Sequence, residues 1–235
     1  MEIEILELLD GARQARGLTV VIDVFRAFSF ESYAFAGGAR RIYPIGDIES
    51  AYAAKQADPS LLLAGERGGR KQPGFDFGNS PFEVSCADVR GRVIVHTTSA
   101  GTQGVAAAEP HADEILLGAL VNASATAAYI RRAAPARVSL VAMGLAGTQT
   151  TTEDRICAEY LRALLRGEAY DREAAVKLMR ATDGARFFAA ESAGDAPPED
   201  FELCTRFDRF DFALPLRRDA QGRCYTEAVF VPLGK

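Results

Sequence analysis

A chain of 235 residues with 48% hydrophobic and 25% charged side chains can bury a sizeable core and has the composition of a soluble globular protein. Its net charge of −5 argues against non-specific nucleic-acid binding, which needs a basic face; an anionic substrate must therefore be drawn in by local Arg and Lys. Cys86, Cys157, Cys204 and Cys224 lie far apart without CxxC spacing and read as free thiols of a reducing compartment. No apolar run is long enough to span a bilayer, and Met1-Glu-Ile-Glu lacks the basic start of a signal peptide, so the cytoplasm is the expected location. His96 and His111 cannot by themselves supply a zinc site.

In chain order, Ile3 to Leu8 reads as a first strand and Asp10 to Arg16 as a short helical turn. The β-branched run from Leu18 to Val24 predicts a strand buried on both faces, with Asp23 at its carboxyl end and Arg26 just beyond. Glu31 to Ala36 has helical composition and stops at Gly37-Gly38. Arg41 to Ile45 is a short strand, and Asp47 caps a helix to about Ala57. Further strands follow at Leu61–Ala64, Gly91–Thr98, Glu114–Ala119 and Arg137–Gly144, with helices at Gly101–Ala108 and Asn122–Ala133 between them. Thr152 opens a strong helix to Arg166, with Glu153 and Asp154 in its first turn, where acids suit the helix dipole. Asp171 to Ala190 is helical without strands, and Gly194 to Asp200 is a Pro-rich, exposed connection. The end reads as an antiparallel hairpin at a sheet edge, Phe210–Leu216 and Cys224–Val231 around a turn at Asp219–Gly222. Alternating strands and helices predict a three-layer α/β/α fold with a largely parallel or mixed sheet, in one domain spanning residues 1–235.

The chain is organised around Leu61 to Pro81, where an apolar strand opens at Gly65 into a glycine-rich loop holding Glu66, Arg67, Asp76, Asn79 and Ser80. Such glycines let backbone amides approach a ligand, carboxylates can hold a hard cation, and arginine offers a fixed fork to an oxyanion. Residues just past the carboxyl ends of parallel strands converge on one crevice. Asp23 with Arg26, Glu66 with Arg67, Thr97 with Thr98, and the segment from Gly144 to Asp154 all stand at such positions. Each also has a plainer reading: Asp23 as a helix cap, the Thr-rich turn as a capped helix without ligand, and Glu153 and Asp154 as ordinary capping acids. Cys157 is a core thiol with no His nearby in sequence, and His96, inside a buried strand, is a core histidine.

Five segments occur in order: Val21–Phe28 (VIDVFRAF), Gly65-Glu66-Arg67, Gly74–Pro81 (GFDFGNSP), Thr97–Thr102 (TTSAGT) and Glu153–Ala158 (EDRICA). Together they resemble the 2-phosphosulfolactate phosphatase family, the ComB-like proteins, over about Ile3 to Val231. The resemblance implies a magnesium-dependent hydrolase cleaving 2-phosphosulfolactate to sulfolactate and phosphate, a step of coenzyme M biosynthesis. It also implies that at least one of Glu153 and Asp154 belongs to the site. Related proteins usually carry Asn before the glycine where this chain has Ala100.

On that reading, Mg²⁺ is held by two or more of Asp23, Glu66, Asp76, Glu153 and Asp154, Arg26 and Arg67 hold the phosphate or a second acidic group, and Asn79, Ser80, Thr97 and Thr98 complete the oxyanion contacts. The sequence lacks Asp-x-Asp-x-Thr, and the spacing of Cys86 and Arg92 leads into a strand rather than out of one, so direct attack by a metal-activated water is the simplest mechanism. Like charges about 4 Å apart repel by roughly 4 kcal/mol at an effective dielectric near 20, which a divalent cation among hard oxygen ligands would relieve. The competing reading is a binding or sensor protein that holds a phosphorylated or sulfonated metabolite without turnover; several acids would repel its ligand unless a cation lay between. A closed homodimer is the expected assembly, since that is the commonest kind.

Overall fold

The computed structural model describes residues 1–189 and 196–232. In chain order the strands are β1 (Glu2–Glu7), β2 (Gly17–Ile22), β3 (Arg41–Pro44), β4 (Leu62–Arg67), β5 (Arg70–Lys71) and β6 (Val93–Thr97). They continue as β7 (Ala112–Gly118), β8 (Arg137–Ala142), β9 (Phe212–Arg218), β10 (Cys224–Thr226) and β11 (Val229–Phe230). The helices are α1 (Leu8–Gln14), α2 (Ala27–Ala36), α3 (Ile48–Ala57), α4 (Pro81–Ser85) and α5 (Gly101–Ala108). After them come α6 (Ala123–Ala133), α7 (Thr152–Arg166), α8 (Arg172–Ala181) and α9 (Pro198–Cys204).

The strands form one mixed sheet in the order β1-β8-β2-β7-β9-β10-β3-β6-β4-β5, with β11 on β9. It contains two parallel blocks, β1-β8-β2-β7 and β3-β6-β4. The hairpin of β9 and β10 joins them, antiparallel to β7 on one side and to β3 on the other. The C-terminal hairpin is therefore central and not at a sheet edge. Without it, β7 and β3 would each present unpaired backbone groups, and Phe212, Leu214 and Thr226 are buried as a central position requires.

Alternation along the strands supplies both faces. In β2, Leu18, Val20 and Ile22 pack with α6 and α7, whereas Val21 packs with α1, α2 and α5. The α2 core draws residues from both parallel blocks, among them Val21, Leu117 and Val141 from one and Ile42, Leu62 and Ile94 from the other. Every residue of α2 from Ala27 to Phe35 is buried. A helix that is apolar nearly all round belongs inside a fold, and here the two blocks share it. One exception is Glu31, fully buried, whose carboxylate meets His96 Nδ1 at 2.9 Å and accepts from the Thr226 hydroxyl at 2.9 Å. His96 is thus a core histidine paired on one nitrogen, while its Nε2 has no protein partner.

Two further expectations change. The strand expected to stop at Ala64 runs on to Arg67 and turns at Gly68-Gly69, both at positive φ, into β5. Two glycines at a two-residue turn suit the twist of a hairpin. Gly194 and the residue after it lie outside the described residues, but the rest of that connection is not an exposed linker: it opens α9 and buries Asp200 completely. Among the described residues no helix is long and apolar enough to cross a membrane.

Candidate active site

β2 ends at Ile22, so Asp23 stands at its carboxyl end beneath two helix N-termini. One carboxylate oxygen accepts from Ala27 N at 3.1 Å, the first residue of α2, and the other from Gly101 N at 2.9 Å, the first of α5. Gly101 is needed there, because a Cβ would lie 2.8 Å from the Asp23 oxygen and 2.9 Å from Phe28. Burial pushes the Asp23 carboxyl up to about 6; the Ala27 amide opposes this and the nearby Glu66 charge adds to it.

Glu66 lies on β4, one residue after Gly65. Gly65 has φ +140°, and a side chain at this position would collide with the Thr97 carbonyl, so the strand passes close enough to β6 for Glu66 to reach the turn beyond it. Its carboxylate accepts from Ser99 N at 2.7 Å, Gly69 N at 2.7 Å and the Ser99 hydroxyl at 3.1 Å. Glu153 and Asp154 begin α7, both 2% exposed, although acids at a helix start are usually solvated. Asp154 accepts from Val24 N at 2.7 Å and Gly144 N at 2.8 Å, tying the loop after β8 to the end of β2. Its carboxyl is raised well above the ordinary range, first by burial and then by the Glu153 and Asp23 charges. Glu153 is pushed up to about 7 by burial, with the Arg186 charge pulling the other way. Its Oε2 has no hydrogen-bond partner.

These four acids line one crevice of about 400 Å³ together with Arg26, Arg70 and Arg186, the turn glycines Gly68 and Gly69, and Asn79, Ser99 and Thr151. Among the described residues the buried Asn79 Oδ1 and Thr151 Oγ1 also find no partner. Acids that form no salt bridge among the described residues, together with arginines and unsatisfied polar atoms in one concavity, are what a polar, anionic ligand and a cation would satisfy. Among the described residues, no three His, Cys, Asp or Glu side chains come together closely enough to hold a metal ion.

The other expected residues serve elsewhere. Asp76 does not reach the crevice: its carboxylate accepts from Leu63 N at 2.8 Å and lies 3.3 Å from Lys55 Nζ, satisfying the backbone of β4 where the sheet leaves it unpaired. Arg67 alternates to the opposite side of β4 from Glu66 and donates to Gly46 O and Thr97 Oγ1, at 3.1 and 2.8 Å. Thr97 is thereby occupied. Thr98 and Thr102 exchange hydroxyl and amide bonds of 2.8 and 3.2 Å, which shapes the turn that presents Ser99 and Gly101. Ser80 caps α4 by accepting from Glu83 N at 3.1 Å and donates to Asp200 at 2.6 Å. Asn79 and Arg26 do line the crevice.

Sequence reasoning missed Ser99, Arg70, Arg186 and Asp200. Asp200 holds Arg26 Nη1 at 2.8 Å and accepts from the Ser80 hydroxyl, both buried, and also from Phe82 N at 3.0 Å. It lies 174 residues from Arg26 in a Pro-Pro-Glu-Asp run that locally signals only a helix start. Arg186 donates to Phe25 O at 3.0 Å and faces the crevice from a short helical turn. Ser99 was in plain view between Thr98 and Gly101, where the strand-end rule points. Cys157 is fully buried on α7, and burial raises its thiol well above the ordinary value, as befits a packing residue.

Buried acids meet three arginines in a crevice beyond the carboxyl ends of parallel strands, the place where an α/β sheet usually binds a small ligand. The family model for 2-phosphosulpholactate phosphatase matches residues 3–217. Proteins named probable 2-phosphosulfolactate phosphatase are similar to this chain: that of Thermoplasma volcanium is 30% identical over 88% of this chain and 93% of its own length. That of Carboxydothermus hydrogenoformans is 35% identical over 88% and 80%, and that of Caldicellulosiruptor saccharolyticus 40% identical over 60% and 59%. The chain belongs to the 2-phosphosulpholactate phosphatase family, and with it to the phosphoric monoester hydrolases.

Proposed function

We propose that the crevice hydrolyses 2-phosphosulfolactate, the ester named in the relatives' titles, to sulfolactate and phosphate, with Mg²⁺ as cofactor. The observation that carries the reading is the meeting of Asp23, Glu66, Glu153 and Asp154 with Arg26, Arg70 and Arg186 in one small concavity. Such a set suits a substrate bearing three anionic groups and a cation between it and the acids.

Arg70 and Arg186, which both line the crevice, would hold the outer acidic groups, while Arg26, held by Asp200, would meet the phosphate. Glu153, one of whose oxygens has no partner among the described residues, and Asp154 beside it would hold Mg²⁺, both hard oxygen donors. A Mg²⁺ ion commonly takes one or two carboxylates and fills its remaining positions with water and substrate phosphate, so a pair of acids would be enough. When bound, it supplies positive charge that neutralises the phosphoryl oxygens and polarises water. Asp23, whose carboxyl burial pushes up to about 6, would take the proton of the water that attacks phosphorus. The bond between phosphorus and the ester oxygen breaks, and the departing oxygen would take up, by way of solvent, the proton that Asp23 accepted, so that Asp23 returns to its carboxylate form. Cys157 takes no part.

A panel of small phosphate esters, assayed for phosphate release with Mg²⁺ and with EDTA, tests this. Release from 2-phosphosulfolactate that EDTA abolishes is expected. Tight binding of the ester without release, unaffected by EDTA, would overturn it in favour of a sensor.

A further inference from the structure

A second cavity, of about 770 Å³, lies between α3 and the sheet and shares no lining residue with the crevice. Its origin is in the sequence of α3. Ser50, Ala53, Ala54 and Ala57 recur at helical spacing along the face turned to the cavity, and all four are small. Opposite them stand Tyr43, Pro44 and Ile45 at β3, Val93 and Val95 of β6, and Cys224 of β10. Alanines cannot fill the gap to those strands, so a void of ligand size remains where larger side chains would have closed it.

The mouth is basic. Arg40, Arg41 and Arg223 line it against a single acid, Asp58, whose carboxylate is already taken by Ser60 N at 3.0 Å and the Ser60 hydroxyl at 2.6 Å. Arg223 is paired with Asp219 at 2.8 Å and lies over the Tyr43 ring at 5.0 Å. Arg41 lies over Tyr225 at 4.2 Å, which fixes the plane of its guanidinium. Among the described residues neither Arg40 nor Arg41 forms a salt bridge, and Arg40 is exposed. On a chain of net charge −5, a basic rim around an apolar floor runs against the overall field and selects for anions.

We propose that this cavity is a binding site for a small organic anion with an apolar body, its carboxylate, sulfonate or phosphate head held by Arg40 and Arg41 and its body lying over Tyr43, Val93, Val95 and the alanine face of α3. The alternation of β6 separates it from the α2 core, since Val95 faces α3 while Ile94 faces α2. Occupancy of this site is therefore independent of the reading given to the crevice.

Anilinonaphthalene sulfonate has the required chemistry and fluoresces when its ring system leaves water, so it serves as the probe. Its fluorescence with the whole protein is expected to saturate at one equivalent, and saturating probe is expected to slow alkylation of Cys224, followed peptide by peptide to separate it from the exposed Cys86. Ala53→Trp, at an exposed position that fills the cavity, and Arg40→Glu with Arg41→Glu at the rim should each weaken binding at least tenfold while Mg²⁺-supported phosphate release stays unchanged. Should the tryptophan variant fail to fold, the rim variant and Cys224 protection in the unaltered protein decide the matter. Equal binding by the rim variant, or alkylation of Cys224 at the same rate with and without probe, would overturn the site.

Discussion

Replacing Glu153 by Gln removes a charge from a buried position and leaves its shape. The native carboxyl titrates at about 7 instead of the ordinary 4.5, first because burial disfavours its ionised form. At about 1.4 kcal/mol per tenfold change in proton affinity, that difference is worth roughly 3 kcal/mol. Because the folded-state value is the higher one, the folded protein binds this proton more tightly than the unfolded chain does. Stability is therefore lost as pH rises from about 4.5 to about 7, and the full penalty stands above that window. Glu153→Gln should lose this share of the pH dependence and keep the shares due to Asp23 and Asp154. In EDTA, urea denaturation should find the variant close to the parent at the acid end and about 3 kcal/mol more stable at pH near 8.5, a gain of roughly 6–12 °C in melting temperature for a chain of this size. A fixed offset from packing the amide cancels when the two pH values are compared. Mg²⁺ should restore stability to the parent at alkaline pH and do much less for the variant, whose phosphate release should fall at least a hundredfold. A stability difference of the same size at both pH values would refute the reasoning, because the Glu153 carboxylate would then carry no penalty for the cation to relieve.

Asp200→Asn should destabilise the protein by about 3 kcal/mol in urea unfolding, because it removes the buried carboxylate that meets the Arg26 guanidinium at 2.8 Å and accepts from Ser80. Asp76→Asn, by contrast, should leave kcat and KM for 2-phosphosulfolactate within about twofold, since Asp76 holds the backbone of β4 and not the crevice; a hundredfold loss would return it to the site. Arg70→Ala and Arg186→Ala should each raise KM about tenfold or more, with a smaller effect on kcat, if they hold ground-state anionic groups; unchanged KM in both would remove them from substrate binding. Mg²⁺ affinity measured by calorimetry should weaken as pH falls through about 7 to 6, where Glu153 and Asp23 take up protons that compete with the cation; pH-independent affinity would exclude both carboxyls from the response.

Local signals were strong wherever a residue's role follows from its neighbours in the chain. The apolar runs of β2, β6 and β8, the Asp47 cap on α3 and the bounds of α5 and α7 were all legible, because burial and capping act over a few residues. The strand-end rule likewise pointed to Asp23, Glu66, Glu153 and Asp154, since each lies just past or at the carboxyl end of a parallel strand or at the helix start that follows one. What the sequence could not supply was pairing across long separations. Whether β9 and β10 close an edge or bridge two blocks depends on which strand edges remain open after the rest of the sheet has formed. Whether Glu66 or Arg67 faces the crevice depends on the register of β4 against β6, which the close approach at Gly65 sets, and a shift of one residue would exchange them. Asp76 and Asp200 make the same point in opposite directions: one acid in a glycine-rich loop is spent on an edge strand, and another in an unremarkable Pro-rich run is buried against Arg26. Composition and periodicity fix which segments bury themselves, but only the completed packing decides which polar group is left to meet which, because a buried charge takes its partner from wherever in the chain the fold delivers one.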